Sequence, residues 1–372
     1  MNAAGMIFVD SYDVNLDELT YKRNLASVPF GARYRVIDFV LSNMVNADMR
    51  NIGIVTTQKY KSLMGHVGAG TEWDLNRKQS GVTFLPPFSS ENARSVYENS
   101  LEAMQANMSY LRNVKEEYIL FTGCSSIGNI DFQKMYDYHV KSGAMITGLY
   151  TDEPLHKQPD VPFTEFEIDP TGRVTDLHVT TGGAKGKHVA TNTYLMAKDD
   201  LLKILKKTVE DKKTSFRLDV LLPLIRYEKV MAYKAEEKLM FLDDISAYLQ
   251  SSLELLKADV RYELFKNTER PIITRVKDSP PGSYGSEAEV TNSLIAAGTT
   301  INGTVRNSII FREVRIEKGA VVENSVVMQD TVVGEGARLN YAILDKRVRI
   351  NNGRHLSGYV THPFFVRGKT SI

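Results

Sequence analysis

A short internal repeat near the C-terminus constrains this chain more than any other feature. Val305-Arg306-Asn307-Ser308-Ile309-Ile310 returns 17 residues later as Val322-Glu323-Asn324-Ser325-Val326-Val327. After another 17 residues comes Leu339-Asn340-Tyr341-Ala342-Ile343-Leu344, and an earlier copy, Val290 to Ile295, lies 15 residues before the first. Ile316, Val333 and Ile350 share one register, and Gly319-Ala320 recurs as Gly336-Ala337. Apolar, small and glycine positions held in phase at so short a period predict a parallel β-helix. One coil cannot bury its own apolar residues, so coils stack into a continuous core. A β-sandwich would not require the fixed phase.

The chain before the repeat follows a different pattern. Ile52 to Thr57 and Tyr118 to Gly123 are short apolar runs, as strands buried on both faces should be. Phe132, Met135, Tyr136, His139 and Val140 then fall at helical spacing, and Ala144 to Tyr150 reads as the next strand. Strand, helix and strand in such a short span form a βαβ unit, which implies a parallel or mixed sheet covered by helices. Ligands bind beyond the carboxyl ends of such strands, so the chemistry is expected after Gly123. Ser246 to Lys257 reads as a further helix, and the Pro/Gly/Ser-rich stretch from Asp278 to Ser286 as part of a linker. The predicted organisation is therefore an α/β domain over 1–265, a linker over 266–286 and a β-helix over 287–372.

Composition narrows the function classes. A net charge of +1 gives no bulk electrostatic case for nucleic acid or an anionic membrane. Cys124, the single cysteine, excludes an internal disulfide and fits a reducing cytoplasm. The first ten residues lack the basic flank of a signal peptide, and no run approaches the roughly 20 apolar residues that span a bilayer.

Residues 26–65 carry a specific block: Ala26-Ser27-Val28-Pro29-Phe30-Gly31-Ala32-Arg33-Tyr34-Arg35-Val36-Ile37-Asp38-Phe39, continuing to Asn43, then Asn51-Ile52-Gly53-Ile54-Val55-Thr56-Thr57-Gln58-Lys59-Tyr60 to Leu63. This block resembles the glucose-1-phosphate adenylyltransferases (ADP-glucose pyrophosphorylases) of bacterial glycogen synthesis. Weaker echoes follow at Trp73-Asp74, Leu85-Pro86-Pro87, Tyr97 and Thr193-Tyr194-Leu195. The resemblance implies a Rossmann-like nucleotidyltransferase domain with a mixed sheet, a C-terminal left-handed parallel β-helix and a tetrameric assembly. It also implies a reaction in which glucose 1-phosphate attacks the α-phosphorus of ATP, helped by Mg²⁺ and basic side chains.

Against that expectation the chemical groups are depleted. The family's first loop is rich in glycine and carries an arginine; here the segment from Gly5 to Thr20 holds one glycine and no arginine, and carries Asp10, Asp13, Asp17 and Glu18. Leu25 stands where the family has a phosphate-binding lysine, and Cys124 where it has a magnesium-binding aspartate. A thiol suits Mg²⁺ poorly. Glu91-Asn92-Ala93 replaces a Gly-Thr-Ala used near the nucleotide. No Glu-Lys-Pro occurs near Leu177 to Val189, where only Lys185 or Lys187 matches by position. The resemblance implies that Tyr194 and Asp244 are remnants of the substrate site. The catalytic residues are accordingly read as none, and this chain is expected to bind no cofactor, the Mg²⁺ belonging to a catalytic partner.

Arg33, Arg35 and Arg50 lie in the phase where the family places cationic activator contacts, and the resemblance makes them candidates for a sugar-phosphate effector such as fructose 1,6-bisphosphate. Surface or interface ion pairing is the alternative. Lys346, Arg347, Arg349 and Arg354 form a basic cluster that reads either as the rest of an effector pocket or as a solvated face. The phrase from Leu25 to Phe30 and the missing glycine loop resemble most closely the regulatory D-type subunit, which pairs with a catalytic homologue in a heterotetramer. Three functions compete at this stage: a regulatory subunit, a weak adenylyltransferase in its own right, and a pure assembly protein.

Overall fold

The computed structural model describes residues 1–10, 16–56, 59–78, 80–87, 97, 99–152, 162–180 and 187–372. Among the described residues, nine strands build the first domain's sheet: β1 (Ala3–Phe8), β2 (Asn51–Val55), β3 (Gly81–Leu85), β4 (Tyr118–Thr122), β5 (Ile146–Thr151), β6 (Phe163–Ile168), β7 (Val174–Thr180), β8 (Val189–Ala197) and β9 (Val230–Lys234). β1 lies inside the sheet, parallel to β2 on one side and β4 on the other. β2 continues to β3 in parallel, whereas β4 is joined by the antiparallel β8, which carries β5 and then β9 on its far side. The β6–β7 hairpin joins the start of β8. The sheet is therefore mixed, with β8 running against both β4 and β5, and β7 against β6.

Alternate residues of β1 feed two separate cores. Ala3 and Ile7 join the cluster under helix Val36–Asn46, while Ala4, Met6 and Phe8 face the cluster under helices Ser100–Ala106 and Lys198–Glu210. Burial on both faces explains why these strands read as unbroken apolar runs. Gly5 allows close approach, since a Cβ there would meet the Met44 sulfur at 2.5 Å.

Helix Phe132–Ser142 forms where expected and is capped by the Asp131 carboxylate, which accepts from the Lys134 amide at 3.1 Å. Phe132, Met135 and His139 are buried, but Val140 is exposed, because the helix packs on a narrower stripe than the pattern suggested. Ile245–Glu254 is likewise a helix, three residues shorter than the Ser246 to Lys257 reading at its C-terminal end.

The C-terminal domain is a left-handed parallel β-helix of five coils, its strands stacked into three parallel five-stranded sheets. The inward register runs Val290, Val305, Val322, Leu339 and Leu356. The asparagines of the repeat have a conformational cause. Asn292, Asn307 and Asn324 adopt left-handed backbone at φ of 41°, 46° and 49°, a region asparagine tolerates better than most residues. Tyr341 takes the same turn at 47°. The serines beside them form a ladder: Ser308 Oγ accepts from the Ser325 amide, and Ser325 Oγ from the Ala342 amide.

The first coil begins inside the stretch read as a linker, since Ser283–Tyr284 already pairs with Thr300–Ile301. The rest of that stretch is pinned to the first domain. The Ile273 amide donates to Ser42 Oγ at 2.8 Å, and Thr274 Oγ1 to Asp38 Oδ2 at 2.6 Å. Ile309, Val326 and Ile343 of the β-helix belong to the same buried cluster as Leu25, Phe30 and Tyr248. The two domains therefore share a core.

Candidate functional site

Two cavities bear on function. The first opens at the carboxyl ends of β1 and β4, where Phe8, Asp10, Gly123, Ser125, Tyr194 and Arg217 line a cleft of about 140 Å³. Its floor is aromatic: Phe121, Tyr194 and Phe216 pack mutually with ring centroids 5.1–5.5 Å apart. Arg217 is the single cation among the described lining residues, and its guanidinium donates to Thr164 Oγ1 at 2.8 Å. Asp10 Oδ1 accepts from the Leu25 amide at 2.9 Å, which ties the segment after β1 to the short turn Leu25–Ser27. Leu25 itself is buried and offers no charge.

Cys124 is fully buried between Gly123 and Ser125, and burial together with the nearby Asp10 carboxylate pushes its thiol far up from the usual range. Tyr194 lines this cleft; Asp244 does not. The Asp244 carboxylate caps helix Ile245–Glu254, accepting from the Ala247 amide at 2.8 Å. Asp13, Glu91 to Ala93 and Lys185 lie outside the described residues.

The second cavity, about 370 Å³, lies where the two domains meet. Five cations line it: Arg33, Arg261, Arg275, Lys277 and Arg312. Gly31 and Ala32 both take left-handed backbone, at φ of 58° and 67°, and this turn sets Arg33 over the Tyr34 ring. Tyr34 in turn stacks on Phe265, with centroids 4.9 Å apart. Burial and the neighbouring positive charges of Arg312, Arg35 and Arg275 lower the pKa of Lys277. Burial and Arg33 do the same for Arg312, with Asp330 and Glu313 opposing. No carboxylate lines this cavity among the described residues. Cations that depress one another in a partly desolvated pocket are stabilised by an anion that bridges them.

Of the four arginines singled out from sequence, only Arg33 lines this cavity. Arg35 lies close enough to act on its charges, but its guanidinium donates to the Ser62 carbonyl at 2.7 Å, and burial lowers its pKa to about 10. Arg50 pairs with Asp48 at 2.8 Å and reaches Asp74 at 3.8 Å. Arg354 is exposed on the last turns of the β-helix. In the C-terminal basic cluster, Lys346 adjoins the junction, and burial with Arg35 and Arg23 lowers its pKa to about 7. Sequence reasoning missed Arg261, Arg275, Lys277 and Arg312. One signal was available: Arg312 precedes Lys346 by two repeats of 17, at the same turn position.

Residues 14–255 match the nucleotidyl transferase family model and residues 281–358 the GlmU-like C-terminal hexapeptide model. The chain is 32% identical to the glycogen biosynthesis protein GlgD of Bacillus subtilis (strain 168) over 98% of its own length and 95% of the relative's. This chain belongs to the glucose-1-phosphate adenylyltransferase family. The GlgD of Geobacillus stearothermophilus is 34% identical, over 86% of this chain and 82% of its own. A glucose-1-phosphate adenylyltransferase of Clostridium botulinum (strain Alaska E43 / Type E3) is 30% identical, over 86% of this chain and 83% of its own.

Adenylyltransferases of this family imply Mg²⁺, and the described residues at the cleft do not fit it. A hard dication needs several oxygen ligands, preferably carboxylates. The strand end presents a neutral buried thiol at Cys124, Asp10 is held by the Leu25 amide, and Asp244 is spent on a helix cap. Among the described residues, then, the cleft keeps the nucleotidyltransferase fold and presents no set of carboxylates suited to Mg²⁺.

Proposed function

We propose that this chain is a regulatory, catalytically deficient subunit of ADP-glucose pyrophosphorylase, acting in the cytoplasm with a catalytic homologue in a heterotetramer. One contrast carries the reading: among the described residues, the nucleotide cleft holds one cation and no carboxylate set suited to a metal, whereas the inter-domain cavity gathers five cations. Losing one electrostatic stabiliser typically costs about 10²–10³ in rate, and several are replaced together here. Arginine forks grip phosphate oxygens in pairs. A doubly phosphorylated sugar such as fructose 1,6-bisphosphate therefore suits the second cavity, with Arg33 and Arg312 as principal contacts.

The open end of the β-helix supports assembly. Tyr284 and Val290 occupy inward registers, yet are 56% and 37% exposed, while Ile301 and Val305 one coil further are fully buried. An uncapped solenoid end with unpaired strand edges favours a protein neighbour.

The proposal is tested by calorimetric titration of the purified chain with Mg²⁺–ATP and, separately, with fructose 1,6-bisphosphate. Saturable binding of the bisphosphate and none of Mg²⁺–ATP is expected. Tight Mg²⁺–ATP binding accompanied by pyrophosphate release would favour an enzyme in its own right.

A further inference from the structure

A third cavity, about 730 Å³, lies apart from both sites at the carboxyl ends of β5 and β9. Its volume is ample for a small-molecule ligand. Three tyrosines line it: Tyr138 from helix Phe132–Ser142, Tyr150 from β5 and Tyr233 from β9. The rings of Tyr138 and Tyr233 stand 5.4 Å apart, inclined at 51°. Burial raises the pKa of all three phenols, so each remains a neutral hydroxyl at physiological pH.

Among the described residues the charged wall is internally neutralised. Asp152 pairs with Lys234 at 2.5 Å and with His188 at 2.8 Å. Glu236 pairs with Lys134 at 2.6 Å, and Glu237 with Arg270 at 2.8 Å. An anion entering here would meet three carboxylates, and a cation would have to break existing ion pairs. Each carboxylate and ammonium nevertheless keeps capacity for further hydrogen bonds. Aromatic faces beside a ring of fixed donors and acceptors, with little net charge, suit a molecule with apolar C–H faces and hydroxyls along its edge.

The geometry points to a binding site for a neutral oligosaccharide in the cavity bounded by Tyr138, Tyr150, Tyr233, Asp152 and Lys234. The tyrosine rings stack on sugar faces, and the Asp152–Lys234 pair accepts from and donates to sugar hydroxyls. This site does not depend on the regulatory reading, since direct binding measures it whether or not the chain modulates an enzyme.

The test is saturation-transfer NMR and calorimetry on the full chain with maltotriose, cellotriose and glucose 1-phosphate. Saturable binding of at least one trisaccharide is expected, weakened about tenfold or more by Tyr233→Ala and independently by Lys234→Ala. Arg312→Glu should leave it unchanged. Two variants on different walls guard against a folding artefact, and circular dichroism verifies each. No saturable trisaccharide binding at tens of millimolar, or binding that survives both substitutions, overturns the proposal. So does a preference for glucose 1-phosphate that Tyr233→Ala removes, because the ligand would then be an anion.

Discussion

Arg23 of the first domain and Asp345 of the β-helix form a buried ion pair, Nη2 to Oδ2 at 2.8 Å, across 322 residues of sequence. Both side chains are almost fully withdrawn from solvent. The pair lies beside the shared core, and Lys346 next along the chain feels the Arg23 charge. Domain docking and the charge balance of the junction are therefore coupled.

Asp345→Ala would leave the Arg23 guanidinium buried without its partner. Breaking a buried pair from one side costs about 3–5 kcal/mol, whereas replacing both partners with apolar residues costs far less. Thermal unfolding should therefore show a large loss for D345A and a smaller one for the double variant R23M/D345L. Equal losses would mean that the pair is not desolvated in solution.

Effector binding should separate the basic residues by position. Arg33→Ala and Arg312→Glu, both lining the junction cavity, should each weaken fructose 1,6-bisphosphate binding about tenfold or more. Arg50→Ala should change it little, because Arg50 is engaged with Asp48 and Asp74. Exposed Arg354→Ala should also change it little. Titration calorimetry of the four variants checks the ranking.

His139 predicts a pH dependence of stability. It is buried with Nδ1 2.7 Å from Thr147 Oγ1, and burial lowers its pKa from 6.5 to about 4. Between those values the unfolded chain takes up a proton that the folded chain refuses, so stability falls as pH drops from 6.5 toward about 4. The effect is on the order of 3 kcal/mol. Above 6.5 this group adds no slope. Urea unfolding of the parent and of His139→Gln, at about pH 7 and about pH 4.5, should show the parent losing more stability on acidification.

Cys124→Asp restores the residue type expected for a metal site but not the cations of the missing loop. It should give no detectable ADP-glucose synthesis, and it should lower the melting temperature, because the position is wholly buried. A gain of activity from this one substitution would mean that the rest of the cleft is competent.

Legibility in the sequence followed locality. The β-helix was readable because its turns repeat a local conformational demand, a left-handed residue, asparagine in three of four copies, two positions after an aliphatic in the inward register. The central strands were readable as apolar runs because both their faces are buried. The reversal at β8 was not, since antiparallel and parallel neighbours leave the same apolar run. Val140 misled because helical spacing marks a face without fixing its width. The cation cavity escaped for a different reason: Arg33, Arg261 and Arg275 come from separate segments brought together by tertiary folding, and docking of the β-helix adds Arg312. At the cleft, by contrast, each position is defined by its own side chain, so the uncharged Leu25 and the thiol Cys124, both buried, could be read one residue at a time.

The most direct measurement is ADP-glucose synthesis by this chain alone, by a catalytic homologue alone, and by the two mixed, each with and without fructose 1,6-bisphosphate. The account predicts no synthesis above background by this chain alone, and a mixture whose rate or effector response differs from that of the homologue alone. Substantial synthesis by this chain unaided, or a mixture indistinguishable from the homologue, would contradict it.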